Sequence, residues 1–172
     1  MIFVGIDPGL DGALVALRED GSLHSQASMP TTPGASKGRV VDVRALARHL
    51  LALPAPVVVA VEAMAGRPPG KMGGGSALTI GANWGRIVGM LDSLAVSHGH
   101  SIAYEIVQPQ RWQREVCPGT GDPKGRAVSA ALRLCPGLNL TPGKRTKPHD
   151  GLADAWCIAE WCRRTLGTRI PT

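Results

Sequence analysis

Ile2-Phe3-Val4-Gly5-Ile6-Asp7-Pro8-Gly9-Leu10-Asp11-Gly12 is the stretch on which the reading of this chain turns. An apolar run of strand length ends in Asp7, and Pro8 with Gly9 forces a turn directly behind it, so a carboxylate is presented at the end of a buried strand. A metal ion or a phosphate would be met there; the plainer alternative is an aspartate that only caps the turn before proline. Past the turn, Ala13-Leu14-Val15-Ala16-Leu17 reads as a second strand, and Asp20-Gly21 as a two-residue hairpin turn into a third over residues 23–29. The opening is thus an antiparallel meander whose first strand carries the acid.

A second acid repeats the arrangement. After Pro54 and Pro56, Val57-Val58-Val59-Ala60-Val61-Glu62 is a continuous apolar run that has to be covered on both faces, as in the centre of an α/β sheet, and it too ends in a carboxylate. Two neighbouring strands ending this way bring the acids within reach of one metal, whereas a glutamate at a sheet edge would simply face solvent. Residues 30–37 read as a turn-rich polar connection. From Asp42, an N-cap, the apolar positions Val43, Leu46, Ala47, Leu50 and Leu51 recur at helical spacing with Arg44 and Arg48 on the outer side.

Residues 63–75 form a glycine- and proline-rich loop carrying Arg67 and Lys71 and no carboxylate, a composition suited to lying on phosphates. Over about 76–97, Ile80, Trp84, Ile87, Val88, Leu91, Leu94 and Ala95 fit one helical face, while Ala77, Gly81, Gly85 and Gly89 follow at four-residue intervals on another. Each glycine costs a helix roughly 1 kcal/mol. Close packing of a second backbone would compensate, either within the chain or across a homodimer axis.

Residues 102–108 read as the fifth strand, followed by a short helical turn from Pro109 with Arg111, Trp112 and Arg114. Asp122 and Pro123 are the N-cap and first-turn pair of a helix to about residue 134. Lys124 and Arg126 in its first turn oppose the helix dipole, which fits either a nearby phosphate or carboxylate or a solvated side chain. A basic loop, Lys144-Arg145-Thr146-Lys147, leads into His149-Asp150-Gly151-Leu152-Ala153-Asp154-Ala155, the start of the last helix. Asp150 and Asp154 lie one turn apart on the same face, beside an apolar stripe of Ala155, Ile158, Ala159 and Cys162 flanked by Trp156 and Trp161.

At 172 residues the chain is expected to be one domain, 1–172, with a sizeable core. Lys and Arg outnumber Asp and Glu 19 to 13, giving a net charge of +6 and a pI near 9.6. With four acids committed to a site, the balance favours a polyanion, nucleic acid before membrane, because no segment is apolar over a membrane-spanning length. Cys117, Cys135, Cys157 and Cys162 contain no CxxC pair and read as reduced core thiols, not as a disulfide frame or zinc site. The first apolar run has no basic residues ahead of it, so it is not a signal peptide, and a cytoplasmic location is expected.

The order of a strand-end Asp, a strand-end Glu and an Asp pair on the last helix resembles the ribonuclease-H-like nuclease superfamily, specifically the RuvC-type Holliday junction resolvases. Gly5-Ile6-Asp7-Pro8-Gly9 with Gly12-Ala13 behind it, Val59-Ala60-Val61-Glu62, and His149-Asp150-Gly151-Leu152-Ala153-Asp154-Ala155 carry the resemblance. The histidine-aspartate-glycine form of the last motif is most similar to the phage and plastid branch. The resemblance implies an α/β fold with a central five-stranded mixed sheet, strands 1–3 an antiparallel meander, flanked by helices. It implies a crossover junction endodeoxyribonuclease of DNA recombination and repair, acting as a homodimer on four-way DNA and needing no organic cofactor. Asp7, Glu62, Asp150 and Asp154 would hold two Mg²⁺ or Mn²⁺ ions per site, oxygen donors suiting such hard cations. His149 would ligate a metal or orient the attacking water, and Lys124 would face the scissile phosphate. The products would be symmetric paired nicks with 5′-phosphate and 3′-hydroxyl ends.

The chain departs from bacterial RuvC proteins after the glutamate, where Ala63-Met64-Ala65-Gly66-Arg67 has no aromatic residue to push into the junction; either Met64, Met72 or Arg67 wedges the bases instead, or substrate selection rests elsewhere. With so few aromatics, affinity would come from phosphate contacts by Arg67, Lys71, Arg111, Lys124, Lys144, Arg145 and Lys147 and would be steeply salt-dependent. Two other functions stay open: an RNA-processing nuclease of the YqgF type, and a non-catalytic module binding branched nucleic acid. Crowded carboxylates without a metal would repel a phosphate, which counts against the module. A sugar-kinase-type phosphotransferase needs a second lobe for which this chain is too short.

Overall fold

Residues that alternate or run apolar between turn signals settle into strands, and the first of these is central to the sheet. A computed structural model of the chain describes residues 1–34, 38–64, 74–98 and 101–167. Strand β1 (Ile2–Asp7) is buried from Ile2 to Ile6 and pairs antiparallel with β2 (Ala13–Arg18), Asp7 opposite Ala13. Strand β3 (Leu23–Ser28) follows through the Asp20-Gly21 turn, where Gly21 has φ 83°. The meander is therefore as the sequence implies.

Between residues 30 and 42 the structure corrects the sequence reading. In place of an irregular connection there is a two-stranded antiparallel sheet, β4 (Thr31–Pro33) with β5 (Arg39–Val41), separate from the main sheet. Pro33 and Gly34 mark a breaker at short range. The β-branched pairs Thr31↔Val41 and Thr32↔Val40 outweigh it once the strands meet. Helix α1 (Val43–Leu51) starts on the Asp42 cap, whose carboxylate accepts from the backbone N–H groups of Arg44 and Ala45.

Strand β6 (Val57–Glu62) lies parallel to β1, and β7 (Ile102–Val107) parallel to β6, giving the order β3-β2-β1-β6-β7. Helix α2 (Gly74–Ser97) links them, and α3 (Pro109–Val116), α4 (Pro123–Leu134) and α5 (Asp150–Leu166) follow β7. The sheet is mixed and covered on both faces. One face packs Ile2, Val4, Val59 and Val61 against Leu46, Ile87 and Leu91 of α1 and α2. The other packs Phe3, Val58 and Ala60 against Trp112, Ala127, Ala131 and Trp156 of α3, α4 and α5. All four cysteines are free and buried. No helix among the described residues is long and apolar enough to cross a membrane.

Two helices differ from their sequence stripes. Helix α5 buries Leu152, Ala153, Trp156, Cys157, Glu160 and Trp161 as well as the expected stripe, so it is a core helix. In α2 the buried side chains include Asn83, Ile87, Leu91 and Leu94, while Ile80 stays 44% exposed. A Cβ added at Gly81, Gly85 or Gly89 would meet nothing within 4 Å, so the glycine row finds no partner among the described residues.

Helix α5 lies directly on β1 at Gly5. A Cβ there would come within 2.1 Å of the Ala155 carbonyl oxygen and 2.3 Å of the Ala159 nitrogen, contacts that only a shift of backbone can relieve. Gly5→Ala is therefore expected to lower the unfolding free energy by roughly 3 kcal/mol, at the upper end of typical overpacking costs. Denaturant titration checks this, and a loss smaller than that of an exposed alanine substitution would contradict the tight approach.

Candidate active site

Each carboxylate reaches the site through a different element. Asp7 ends β1, and its Oδ1 accepts from the Gly9 N–H at 3.1 Å, so the turn after the strand also holds the side chain. Glu62 ends β6, the parallel neighbour of β1, where Ile6 pairs with Val61. Asp150 and Asp154 stand in the first turns of α5. The helix can approach because Gly151 has no side chain: a Cβ there would lie 2.7 Å from the Asp11 carbonyl oxygen and 3.0 Å from Asp7 Oδ2.

The electrostatics report the convergence. Burial pushes the Asp7 carboxyl up, partly opposed by the Gly9 N–H and by Lys124. Burial, then Asp7, then Asp154 push Glu62 up to about 7. Burial, then Asp7, then Asp150 push Asp154 up to about 7, with Lys124 pulling the other way. Asp7, Glu62 and Asp154 thus form one coupled, half-buried acidic group. Asp150 is more exposed and is paired with Lys124, Nζ to Oδ2 at 3.1 Å. Among the described residues no three His, Cys, Asp or Glu side chains already stand at a common metal-ligating distance. The oxygen-only donor set nonetheless suits hard divalent cations, and a cation would offset the burial and the neighbouring charge that raise these carboxyls.

The other residues expected from the sequence fall as follows. His149 is 4% exposed and is the N-cap of α5, its backbone N–H donating to the Leu140 carbonyl at 2.7 Å. Burial and Arg145 hold its imidazole below the usual range, against the pull of Asp11 and Asp150, which favours the uncharged ring. Lys124 faces the acids. Lys144, Arg145 and Lys147 are exposed in the loop before α5. Arg111 is turned to Glu105 at 3.5 Å and lies 5.1 Å from the Trp161 ring centroid, over the indole. Arg67, Lys71 and Met72 lie outside the described residues.

Four partners were not read from the sequence. Trp112 donates from Nε1 to Glu62 Oε1 at 3.1 Å, and Trp84 donates to the Glu62 carbonyl at 3.2 Å, so two indoles fix the second acid. Asp11, at the far end of the opening turn, is a fifth carboxylate bordering the site, and Arg39 of β5 holds it at 2.8 Å. Of these only Asp11 left a local signal, as the second acid of Asp7-Pro8-Gly9-Leu10-Asp11. A cleft of about 230 Å³ opens beside Asp7 and Glu62, walled by Leu10, Met64, Ile80 and Trp84.

The sequence matches no protein-family model and no curated protein. Among solved structures it is similar to Thermus thermophilus RuvC in complex with a Holliday junction substrate, with a TM-score of 0.60 at 20% identity over 98% of this chain and 96% of that one. A second Thermus thermophilus RuvC structure gives 0.59 at 21% identity, covering 98% of both chains. The yeast mitochondrial Holliday junction resolvase Ydc2 gives 0.52 at 14% identity, over 94% of this chain and 77% of that one. The five-stranded mixed sheet flanked by helices is the ribonuclease-H-like fold of the RuvC resolvases, as the sequence resemblance implies.

The raised carboxyls set a pH dependence. In the unfolded chain both titrate near the ordinary value of about 4, so between about pH 4 and 7 the folded state binds more protons and stability falls as pH rises. Above pH 7 the full penalty is present, on the order of 3 kcal/mol for Glu62 alone. Thermal melts in chelator are expected to show the melting temperature dropping from pH 5 to pH 8. The drop should be shallower in Glu62→Gln and should be reversed at pH 8 by millimolar Mg²⁺ or Mn²⁺. Identical slopes for the two proteins would refute the coupling.

Proposed function

We propose that the protein is a metal-dependent, structure-selective DNA endonuclease that resolves four-way junctions by paired nicks leaving 5′-phosphate and 3′-hydroxyl ends. The observation that carries this is the meeting of Asp7, Glu62 and Asp154, from two parallel strands and the last helix, in one electrostatically coupled group. The fold likeness to RuvC bound to a Holliday junction substrate supports the choice of branched DNA as substrate.

Asp7, Glu62 and Asp154, with Asp150, would hold the divalent ions. When bound, these would neutralise charge at the scissile phosphate and lower the pKa of the attacking water. The chain's own groups do the rest. Trp112 keeps Glu62 aimed inward, and the Gly9 N–H keeps Asp7 in place. Lys124 is an exposed cation within electrostatic reach of Asp7, Asp150 and Asp154, placed to meet the phosphate as it arrives. His149, next to Asp150, would ligate a metal or orient the attacking water, and burial favours its uncharged form. Exposed Lys144, Arg145 and Lys147 add phosphate contacts near the start of α5.

Symmetric nicking of two strands requires two sites related by a two-fold axis, and α2 offers the surface for it. Among the described residues nothing packs on Gly81, Gly85 and Gly89, and Leu78 at 74% and Val96 at 88% exposure flank them.

Purified protein is expected to cut synthetic four-way junctions with Mg²⁺ or Mn²⁺ and to spare linear duplex. Asp7→Asn is expected to bind the junction with its cleavage rate reduced by at least about 10³-fold, the scale of losing a group central to transition-state charge stabilisation. Intact junctions in both metals, or preferential cutting of structured RNA run in parallel, would defeat the proposal. Gly85→Leu is expected to shift the mass in size-exclusion chromatography with light scattering from dimer to monomer. An unchanged mass would remove α2 from the interface.

A further inference from the structure

Helix α4 presents two faces with different work to do. Lys124, in its first turn, points to Asp150. The neighbouring face lines an open groove of about 450 Å³ whose walls include Pro118, Asp122, Gly125, Arg126, Ser129 and Arg133. From Gly125, the residue after Lys124, to Arg133 the helix rises about 12 Å, two turns, so the groove runs along α4.

Its polar groups are unevenly committed. Asp122 is occupied as the helix cap, its Oδ2 accepting from the Gly125 N–H at 3.0 Å. The Ser129 hydroxyl has its proton committed to the Gly125 carbonyl at 2.8 Å. Arg126 is anchored by one nitrogen, Nη1 to the Cys117 carbonyl at 2.6 Å, and its Nε is buried without a hydrogen-bond partner. Arg39, Arg111, Arg163 and Arg164 each pair with a carboxylate, but among the described residues Arg126 and Arg133 do not. Two guanidinium groups without acidic partners, on one wall of a solvent-open groove, suit an anion that repeats along a line.

We propose that this groove carries the sugar-phosphate backbone of one DNA strand as it runs on from the carboxylates past Lys124, with Arg126 and Arg133 as its phosphate contacts. The inference rests on the nuclease reading above and adds to it a path for the strand. Neither arginine is needed for the chemistry itself.

Junction binding of the Asp7→Asn protein, measured by fluorescence anisotropy across a salt series, tests it. Adding Arg133→Ala is expected to weaken binding several-fold and to reduce the slope of log affinity against log salt by about 1, the mark of one lost phosphate contact. Ser129→Asp, which keeps both arginines but places an anion one helical turn from each, competing with a phosphate for them, is also expected to weaken binding. Arg48→Ala, on exposed α1 across the sheet, serves as the charge control and should change neither quantity. Parent affinity and slope in both groove variants would overturn the groove and leave the nuclease reading standing. An equal loss in Arg48→Ala would overturn it too, as an effect of net charge. If Asp7→Asn fails to bind four-way DNA at all, the nuclease reading falls with the groove.

Discussion

The absence of a side chain at Gly5 lets a helix lie on a strand at backbone contact, and the arrangement of the acids follows from that approach. With α5 seated on β1 through Ala155 and Ala159, the start of the helix is carried over the end of the strand, where Asp7 emerges. Gly151 repeats the device one helical turn nearer the site, against the Asp11 carbonyl and the Asp7 carboxylate. Parallel pairing of β6 with β1 then sets Glu62 at the same sheet edge. Three acids distant in sequence meet because two glycines allow one helix to come close.

Placing them there works against stability. Half-buried carboxyls that raise one another's pKa are a local conflict of the kind found at functional sites, and the surroundings offset it. Around α5 the offset is large. Trp112, Trp156, Trp161, Leu152 and Ile158 are fully buried, and Glu160, although burial works to raise it, is held below the usual range by Arg163 and Arg164 at 2.7–2.8 Å. A well-satisfied charge cluster on the α5 side chains furthest from the site thus accompanies the unsatisfied one at its start.

The elements set by local periodicity were legible in the sequence. The opening meander, the two strands ending in acids, the caps at Asp42 and Asp122, and the pair Asp150 and Asp154 all declared themselves through apolar spacing and turn residues. What escaped depends on partners far away in the chain. The β4–β5 pair is only three residues on a side, so its β-branched residues carried too little signal against Pro33 and Gly34. The full burial of α5 could not be read from a stripe, because α3, α4 and the sheet enclose it from several directions. Trp112 gave no sign of Glu62, fifty residues earlier, since a tryptophan in a short amphipathic helix reads simply as core.

The enclosure of α5 bears on how such a protein can diversify. A helix that is both the centre of the core and the carrier of two acids leaves little room for variation, because almost any exchange along it disturbs folding and chemistry together. The outer side of α1, with exposed Arg44 and Arg48, carries no such double duty. Drift or deliberate re-engineering has its freedom there, around a centre that must be inherited whole.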